Sequence, residues 1–246
     1  MTGRSLYDTS VTPPLKRTYG STMQVETKTL SRRERERLTR RREILQAAKA
    51  VFAEKGYTHA TLDEIAQRAE FGKGTLYNYF AGGKEDILFA AFDEVYDELE
   101  DLVAETFTPE LAAKKPLRDV FEQFIVAHMN FFLERKELFM LIVKEGYRMT
   151  FSDDQGRATY FQHKRERMVN SLVPTLEAAM QNGDMKPLPV HAVAHMLMGN
   201  INGLQMHLAL VDKHPACGGS TLHSPKEAAD FLTTMMCDGL LAQPRS

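Results

Sequence analysis

Between Lys73 and Phe80 the chain reads Lys-Gly-Thr-Leu-Tyr-Asn-Tyr-Phe. Wound as a helix, this stretch divides its faces. Leu76, with Phe80 just beyond, can pack inward, and Lys73, Thr75, Tyr77, Asn78 and Tyr79 are left pointing outward. A solvated face usually shows Glu and Lys. Exposed Thr, Tyr and Asn beside a Lys suit a DNA groove instead. Hydroxyls and amides bond phosphates or base edges, and a Tyr ring can touch a thymine methyl. For Tyr77 the competing reading is packing against an earlier helix.

A second cluster lies upstream. Between Ser31 and Arg42 stand Arg32, Arg33, Arg35, Arg37, Arg40, Arg41 and Arg42 against Glu34 and Glu36. This arm could neutralise phosphates or enter a minor groove. It could equally be a solvated helix extension with Glu–Arg pairs at i, i+3 and i+4, and the two readings are compatible. The wider charge pattern agrees with a polyanion-binding end. Residues 1–84 carry 16 Lys+Arg against 9 Asp+Glu, whereas residues 85–246 carry 15 against 24. The overall net charge of -2 hides this split.

The elements that must hold these residues are helical. Ile44, Ala47, Ala48, Val51 and Phe52 recur at one-face spacing, and Gly56 ends that run. Thr61-Leu62-Asp63-Glu64 has the form of a capping box and opens a second helix reaching about Ala69. Glu70, Phe71 and Gly72 make a tight turn before the short third helix. Gly82-Gly83 is a break, after which Lys84 opens a long fourth helix to about Glu105. Two short helices joined by a three-residue turn behind a longer one predict a helix-turn-helix. Further helices are expected over 116–134, 137–148, 157–182, 189–212 and 224–242. No stretch shows the period-2 alternation of a sheet, so the fold class is all-α.

The stretch from Ala47-Ala48 through Phe52-Ala53-Glu54-Lys55-Gly56-Tyr57, Thr61-Leu62-Asp63-Glu64-Ile65-Ala66 and Lys73-Gly74-Thr75-Leu76-Tyr77-Asn78-Tyr79-Phe80 to Gly83-Lys84-Glu85 resembles the DNA-binding domain of the TetR (tetracycline-repressor) family. The resemblance covers about residues 40–92. It implies an amino-terminal helix-turn-helix joined to a larger helical ligand-binding and dimerisation domain. It further implies that Lys73, Thr75, Tyr77, Asn78 and Tyr79 face the major groove and its flanking phosphates. Asn78 would read a base and Tyr79 would bind phosphate. Thr61 and Lys84, each at a helix start, would bind phosphate, and Arg40 and Arg41 would join the contact surface. The turn departs from the family pattern of Gly, Val and Ser: here Glu70, Phe71 and Gly72 stand. If position 70 requires φ > 0, Glu costs on the order of 1 kcal/mol relative to Gly. Gly72 removes the hydroxyl that usually caps the third helix.

Three segments are expected: an unstructured extension over 1–30, a helix-turn-helix domain with its basic arm over 31–92, and an effector-binding and dimerisation domain over 93–246. Met23 stands just before a stretch that reads like a natural beginning. The helices over 189–212 and 224–242 are apolar on wide faces and could pair with a second copy or form an internal core. The resemblance implies the homodimer, which would read a palindromic operator in double-stranded DNA as two half-sites ~34–36 Å apart. The middle helices supply aromatic and thioether material for a small apolar or aromatic effector. The candidates are His128, Phe131, Phe139, Tyr147, Tyr160, His163, Met168 and Asn200, with Asn130 as a further polar group. Any one of these apolar side chains could simply be core.

Other chemistry is thinly represented. No nucleophile–His–acid set and no Gly-rich phosphate loop is evident, so neither an enzyme nor a cofactor is expected. His191 and His195 have a spacing that can share a metal but lack an obvious third ligand. Cys217 and Cys237 could form a redox pair or be two structural thiols. No apolar run approaches the ~18 residues of a membrane span, and no signal sequence is visible, so a cytoplasmic location is expected. These readings converge on a transcriptional regulator, a repressor released by its effector. The runner-up is an architectural or division-associated DNA-binding protein without one.

Overall fold

A computed structural model of the chain describes residues 31–152, 154–213, 222 and 224–239. The expected extension over 1–30, Cys217 and the end of the last expected helix lie outside the described residues. The described residues form helices and no strand. In chain order these are α1 (Arg32–His59), α2 (Leu62–Arg68), α3 (Lys73–Tyr79), α4 (Lys84–Thr106), α5 (Pro109–Ala112), α6 (Leu117–Glu134), α7 (Lys136–Thr150), α8 (Gln155–Gln181), α9 (Val190–Lys213) and α10 (Pro225–Cys237). The fold is all-α, as the periodicity predicts.

The described residues separate into two units, one ending at Thr39 and the other beginning at Arg40. In the first, Ser31 and Glu34 cap one another. The Glu34 amide donates to Ser31 Oγ at 3.2 Å and the Ser31 amide to Glu34 Oε2 at 2.8 Å. Arg32 pairs with Glu36 at 2.8 Å, an i,i+4 contact of the kind that steadies an exposed helix.

In the second unit, Ile44, Leu45, Ala48, Val51 and Phe52 of α1 are buried, which is the face their spacing marks. Gly56 interrupts the helix with φ 75° and ψ 159°, a conformation open to a residue without Cβ. The α2 start carries the expected capping box: the Glu64 amide donates to Thr61 Oγ1 at 3.3 Å and the Thr61 amide to Glu64 Oε2 at 3.0 Å. The turn after α2 is a Schellman motif. The Phe71 amide bonds the Ala66 carbonyl at 2.9 Å and the Glu70 amide bonds the Gln67 carbonyl at 3.2 Å. The motif requires a left-handed residue between them, and that residue is Glu70, at φ 57°. Gly72 caps α3 with no side-chain hydrogen bond.

The rest of the body packs as one apolar core. α8 and α9 lie together, α6 touches α4, α9 and α10, and α4 also lies against α8. The short α5 carries no periodic signal of its own. Thr108 caps it and Pro109 fills its first position, where the missing amide costs nothing. Thr175 of α8 donates from its hydroxyl to the Phe107 carbonyl at 2.8 Å, satisfying the end of α4. Arg118 of α6 grips both carboxylate oxygens of Asp238 at 2.9 Å, fastening the end of α10. No described helix is long and apolar enough to cross a membrane.

Two backbone positions test this account. At Gly83, φ is 67°, and a Cβ would come within 3.3 Å of Leu62 Cδ1 and 3.5 Å of the Tyr77 ring. Gly83→Ala is expected to destabilise by about 1–3 kcal/mol, and Glu70→Gly to stabilise by about 1 kcal/mol. Urea denaturation of the two variants beside the parent protein measures both signs.

Candidate nucleic-acid interface and its link to the helical body

α3 stands on two buried anchors. Leu76 is 1% exposed and Phe80 3% exposed, packed among Ile44, Ile65 and Ile87 in the same core. With those two fixed, the helix can turn only one way. Lys73, Gly74, Tyr77 and Asn78 are exposed, and Thr75 and Tyr79 are half-buried. Tyr77 is 46% exposed and its ring lies beside Gly83, so it rests on the α4 start rather than entering the core. Lys73 Nζ bonds Asp63 Oδ2 at 2.9 Å, and that bond holds the ammonium pKa above its usual value.

Thr61 is exposed at the α2 N-terminus. Its oxygen accepts from the Glu64 amide, so its hydroxyl hydrogen remains available to a phosphate. Arg40 is exposed, and the Arg41 guanidinium lies 4.9 Å from the centre of the Phe80 ring. That stacking leaves the donor edge of the guanidinium to other partners.

Lys84 is placed differently from what a phosphate ligand would suggest. Its ammonium bonds the Tyr57 carbonyl at 2.8 Å, the Ala60 carbonyl at 2.9 Å and the Thr58 carbonyl at 3.4 Å. It also lies 4.6 Å from the centre of the Tyr57 ring. An ammonium has three donors, and all three face carbonyls here. Its role in the described structure is to clasp the end of α1 and the connector to α2. The residue types alone hide this clasp, because carbonyl acceptors carry no signature in a sequence.

α4 is then tied to both sides. Glu94 accepts from Lys49 of α1 at 2.8 Å. Toward α8, Glu85 pairs with Arg157 at 2.6 Å, Asp93 with Lys164 at 2.7 Å, and Glu100 with Arg167 at 2.5 Å. The Tyr160 hydroxyl donates to Asp93 Oδ1 at 2.8 Å. Burial and then the Asp93 charge push the Tyr160 pKa up, which keeps that hydroxyl protonated and donating. Beneath these pairs Phe89 and Phe92 meet Tyr160 and Phe161 edge-on, with ring centres 4.8 and 5.1 Å apart. The seam between α4 and α8 is thus aromatic inside and ionic at its rim.

The effector candidates separate by environment. His128, Phe131 and Met168 are buried. Phe139 packs edge-on against Phe132 at 5.2 Å. Tyr160 belongs to the α4–α8 seam. Tyr147 lies exposed, stacked on Phe151 with ring centres 6.2 Å apart. His163 is exposed, and Asn200 donates to the Met196 carbonyl at 2.8 Å. The structure therefore does not bring the eight into one cluster. His191 and His195 are both exposed, and His195 faces Glu166 at 3.8 Å. No group of three potential metal ligands occurs among the described residues. Cys237 is an exposed free thiol.

Sequence reasoning passes over Gln205. It interrupts the apolar face of α9 between Ile201 and Ala209, and that interruption is the available signal. Its Nε2 donates to the His128 carbonyl at 3.2 Å, while its Oε1 has no partner among the described residues. Neither ring nitrogen of His128 has a side-chain partner among the described residues either. Each such buried atom costs about 1–3 kcal/mol.

The comparisons with known proteins bear on this arrangement. Residues 44–91 match the family model of bacterial regulatory proteins, tetR family. That segment of the chain, residues 44–91, carries the tetR-family domain. The match spans α1 from Ile44 through the first turns of α4, the region that displays α3. The HTH-type transcriptional regulator HbdR of Aromatoleum sp. (strain CIB) is 43% identical over 61 residues, which is 25% of this chain and 26% of that relative's length. YhgD of Bacillus subtilis, described as an uncharacterized HTH-type transcriptional regulator, is 24% identical over 75% of this chain and 91% of its own. The solved structure of the regulator FadR from Bacillus subtilis, in complex with stearoyl-CoA, superimposes with a TM-score of 0.62 at 20% identity. It covers 81% of this chain and 99% of that one, so the likeness of fold extends through the helical body.

His128 also predicts a pH dependence. Burial pushes its pKa down to about 4 from 6.5, with the Phe124 carbonyl opposing weakly. A histidine with a depressed native pKa binds its proton more tightly when unfolded. Stability is therefore full above pH ~6.5 and is lost as pH falls toward ~4. Between pH 7 and pH 5 the loss from this residue is about 2 kcal/mol. His128→Leu is expected to remove that increment, read from urea midpoints at the two pH values.

Proposed function

We propose that the protein is a dimeric, sequence-specific DNA-binding regulator, a repressor released from a palindromic operator by a small apolar or aromatic effector. The observation that carries this reading is α3 itself: Leu76 and Phe80 are locked in the core while Lys73, Tyr77 and Asn78 face outward. Asn78 reads a base edge, Tyr79 and Thr61 hold phosphates, and Arg40 and Arg41 extend the contact. Residues 31–92 form the DNA-binding part and residues 93–246 the effector and dimer part.

α9 and α10 support a dimer. Met196 and Leu210 of α9 and Phe231 of α10 are exposed apolar side chains. Gly199 and Gly203 lie on α9 with nothing near the space a Cβ would fill. Each glycine costs about 1 kcal/mol in a helix interior, and nothing among the described residues needs either one. A second copy of α9 approaching closely would use both.

The α4–α8 seam supports an effector response. An effector held in the body and shifting α8 pulls Glu85, Asp93 and Glu100 with it. α4 moves, and the Lys84 clasp carries that movement to the helices that position α3. Two half-sites one DNA turn apart then lose register. By linkage, DNA and effector oppose each other by an equal coupling, typically ~1–3 kcal/mol. The stearoyl-CoA held by the structurally similar FadR makes long acyl thioesters a reasonable first set of effectors to try.

The test is a selection from sheared genomic DNA at fixed salt, with the bound fragments sequenced. One enriched palindrome is the expected outcome. Broad recovery without a shared sequence would favour an architectural DNA-binding protein. On the enriched site, Asn78→Ala is expected to weaken binding by ~1–3 kcal/mol and to relax discrimination at one position per half-site. Removal of residues 1–38 is expected to weaken binding to all sequences alike. It should also lower the slope of log K against log salt by about one for each phosphate that the shortened protein leaves unneutralised. Fluorescence anisotropy over a salt series measures both.

A further inference from the structure

We propose that Arg41 is a positioning residue for DNA recognition: its guanidinium, held over the Phe80 ring, takes one DNA phosphate and thereby sets the register in which α3 presents Asn78. The assignment rests on the regulatory reading above. It goes beyond that reading in one respect: the site requires the flat guanidinium and not merely its charge.

Both supports of this side chain are rigid. Arg41 stands on α1 shortly before Ile44, which is fully buried in the core. Phe80 is buried too, and its amide donates to the Leu76 carbonyl at 2.8 Å, so its ring is a fixed part of the α3 end. The Arg41 guanidinium carbon lies 4.9 Å from the centre of that ring. Stacking of this kind orders a long side chain before a ligand arrives, and an ordered side chain costs less to bind. Arg41 is nonetheless exposed, and it pairs with no carboxylate among the described residues. The cations nearby in the chain differ. Lys49 faces Glu94, Lys55 faces Glu64, Arg68 faces Glu54, Lys73 faces Asp63, and Lys84 is bonded to three carbonyls. Arg40 and Arg42 are exposed as well, but neither lies over a ring among the described residues.

The shape of the group selects its partner. A guanidinium carries five N–H donors in its own plane, and two of them together meet two oxygens of one carboxylate or one phosphate. With one face on Phe80, the donors remain at the edge. The two carboxylates of α2, Asp63 and Glu64, already hold Lys73 and Lys55, and α3 has none. A DNA phosphate is the acceptor that a surface presenting Asn78 and Thr61 meets. An ammonium matches the charge, but it is a compact, strongly hydrated point and cannot present a fork from a ring face. A phosphate contact carries no sequence information by itself; it fixes register and orientation on the duplex. Here the ring that holds the fork belongs to the residue that also anchors α3. A phosphate gripped by Arg41 therefore decides which base edge lies opposite Asn78.

The full chain and its variants are titrated against the operator recovered by selection and against a random duplex of equal length, by fluorescence anisotropy over a salt series. Arg41→Lys is expected to lose about tenfold on the operator and about twofold or less on the random duplex, with the salt slope kept. Arg41→Ala is expected to lose as much on the operator and to lower the slope of log K against log salt by about one. Phe80→Leu keeps an apolar side chain in the core and removes the ring. It is expected to lose about tenfold on the operator. Adding Arg41→Lys to it should cost only about threefold or less, because both changes remove the same interaction. If Phe80→Leu fails to fold, Arg41→Lys on the two duplexes decides alone. An operator affinity of Arg41→Lys within about twofold of the parent overturns the proposal and leaves the regulatory reading standing, with charge as all that this residue supplies. An equal loss on both duplexes also overturns it, and a lowered urea midpoint then marks Arg41 as a brace of the fold. Recovery of no shared sequence by the parent protein overturns the regulatory reading and this assignment with it.

Discussion

When Gly56 breaks α1, the carbonyls around that break need donors. Lys84 supplies them, with one ammonium bonded to Tyr57, Thr58 and Ala60. Much else depends on this clasp. It pins the start of α4 to the end of α1 and to the entry of α2, and so fixes the frame in which α3 stands. Gly83 beside it adopts a left-handed backbone that brings α4 against Leu62 and Tyr77. The helices that display Asn78 and the helix that reaches into the body are therefore one mechanical piece. The net energy of hydrogen bonds from a charged donor, ~1.5–3 kcal/mol each at most, matters less than where they are made.

That piece meets α8 along a seam of a particular composition. Edge-on rings of Phe89, Phe92, Tyr160 and Phe161 supply buried area and a preferred geometry. The rim pairs at Glu85, Asp93 and Glu100 add direction, since each joins one helical turn of α4 to one of α8. The two more exposed pairs, Glu85–Arg157 and Glu100–Arg167, contribute only ~0–1 kcal/mol each. A seam held mainly by rings and edged by weak pairs can slide by small steps without coming apart.

The elements are largely legible in the residues, and the site only in part. One-face spacing marks α1, α4, α6 and α8 because burying an apolar stripe leaves a period in the residues themselves. Thr61-x-x-Glu64 marks the start of α2, and the same pattern stands at Ser31 and Glu34 and at Ser224 and Glu227. The left-handed turn at position 70 is legible too, and Glu70 occupies it at φ 57°. α5 escapes because four residues cannot show a period. Lys84 has the position of a phosphate ligand at a helix start, whereas its partners are main-chain oxygens more than twenty residues away. Gln205 escapes because a lone amide on an apolar stripe resembles an ordinary surface edge until the helix is packed. His128 is legible as a polar group in an apolar run, but nothing in the run discloses that its ring is fully buried.

The cations around α2 and α3 come already matched. Lys73 faces Asp63, Lys55 faces Glu64 and Arg68 faces Glu54. A DNA phosphate that approaches any of them also meets a carboxylate of the same protein. The general pull toward any duplex is thereby reduced, and it is reduced equally for every sequence. In the proposed reading, base contacts from α3 would suffer no such loss. A bacterial chromosome offers millions of irrelevant stretches for each useful one, and most of a strongly cationic protein would be parked on them. If α3 reads an operator as proposed, carboxylates beside it would keep more of the population unattached, so that fewer molecules per cell would suffice to fill one site.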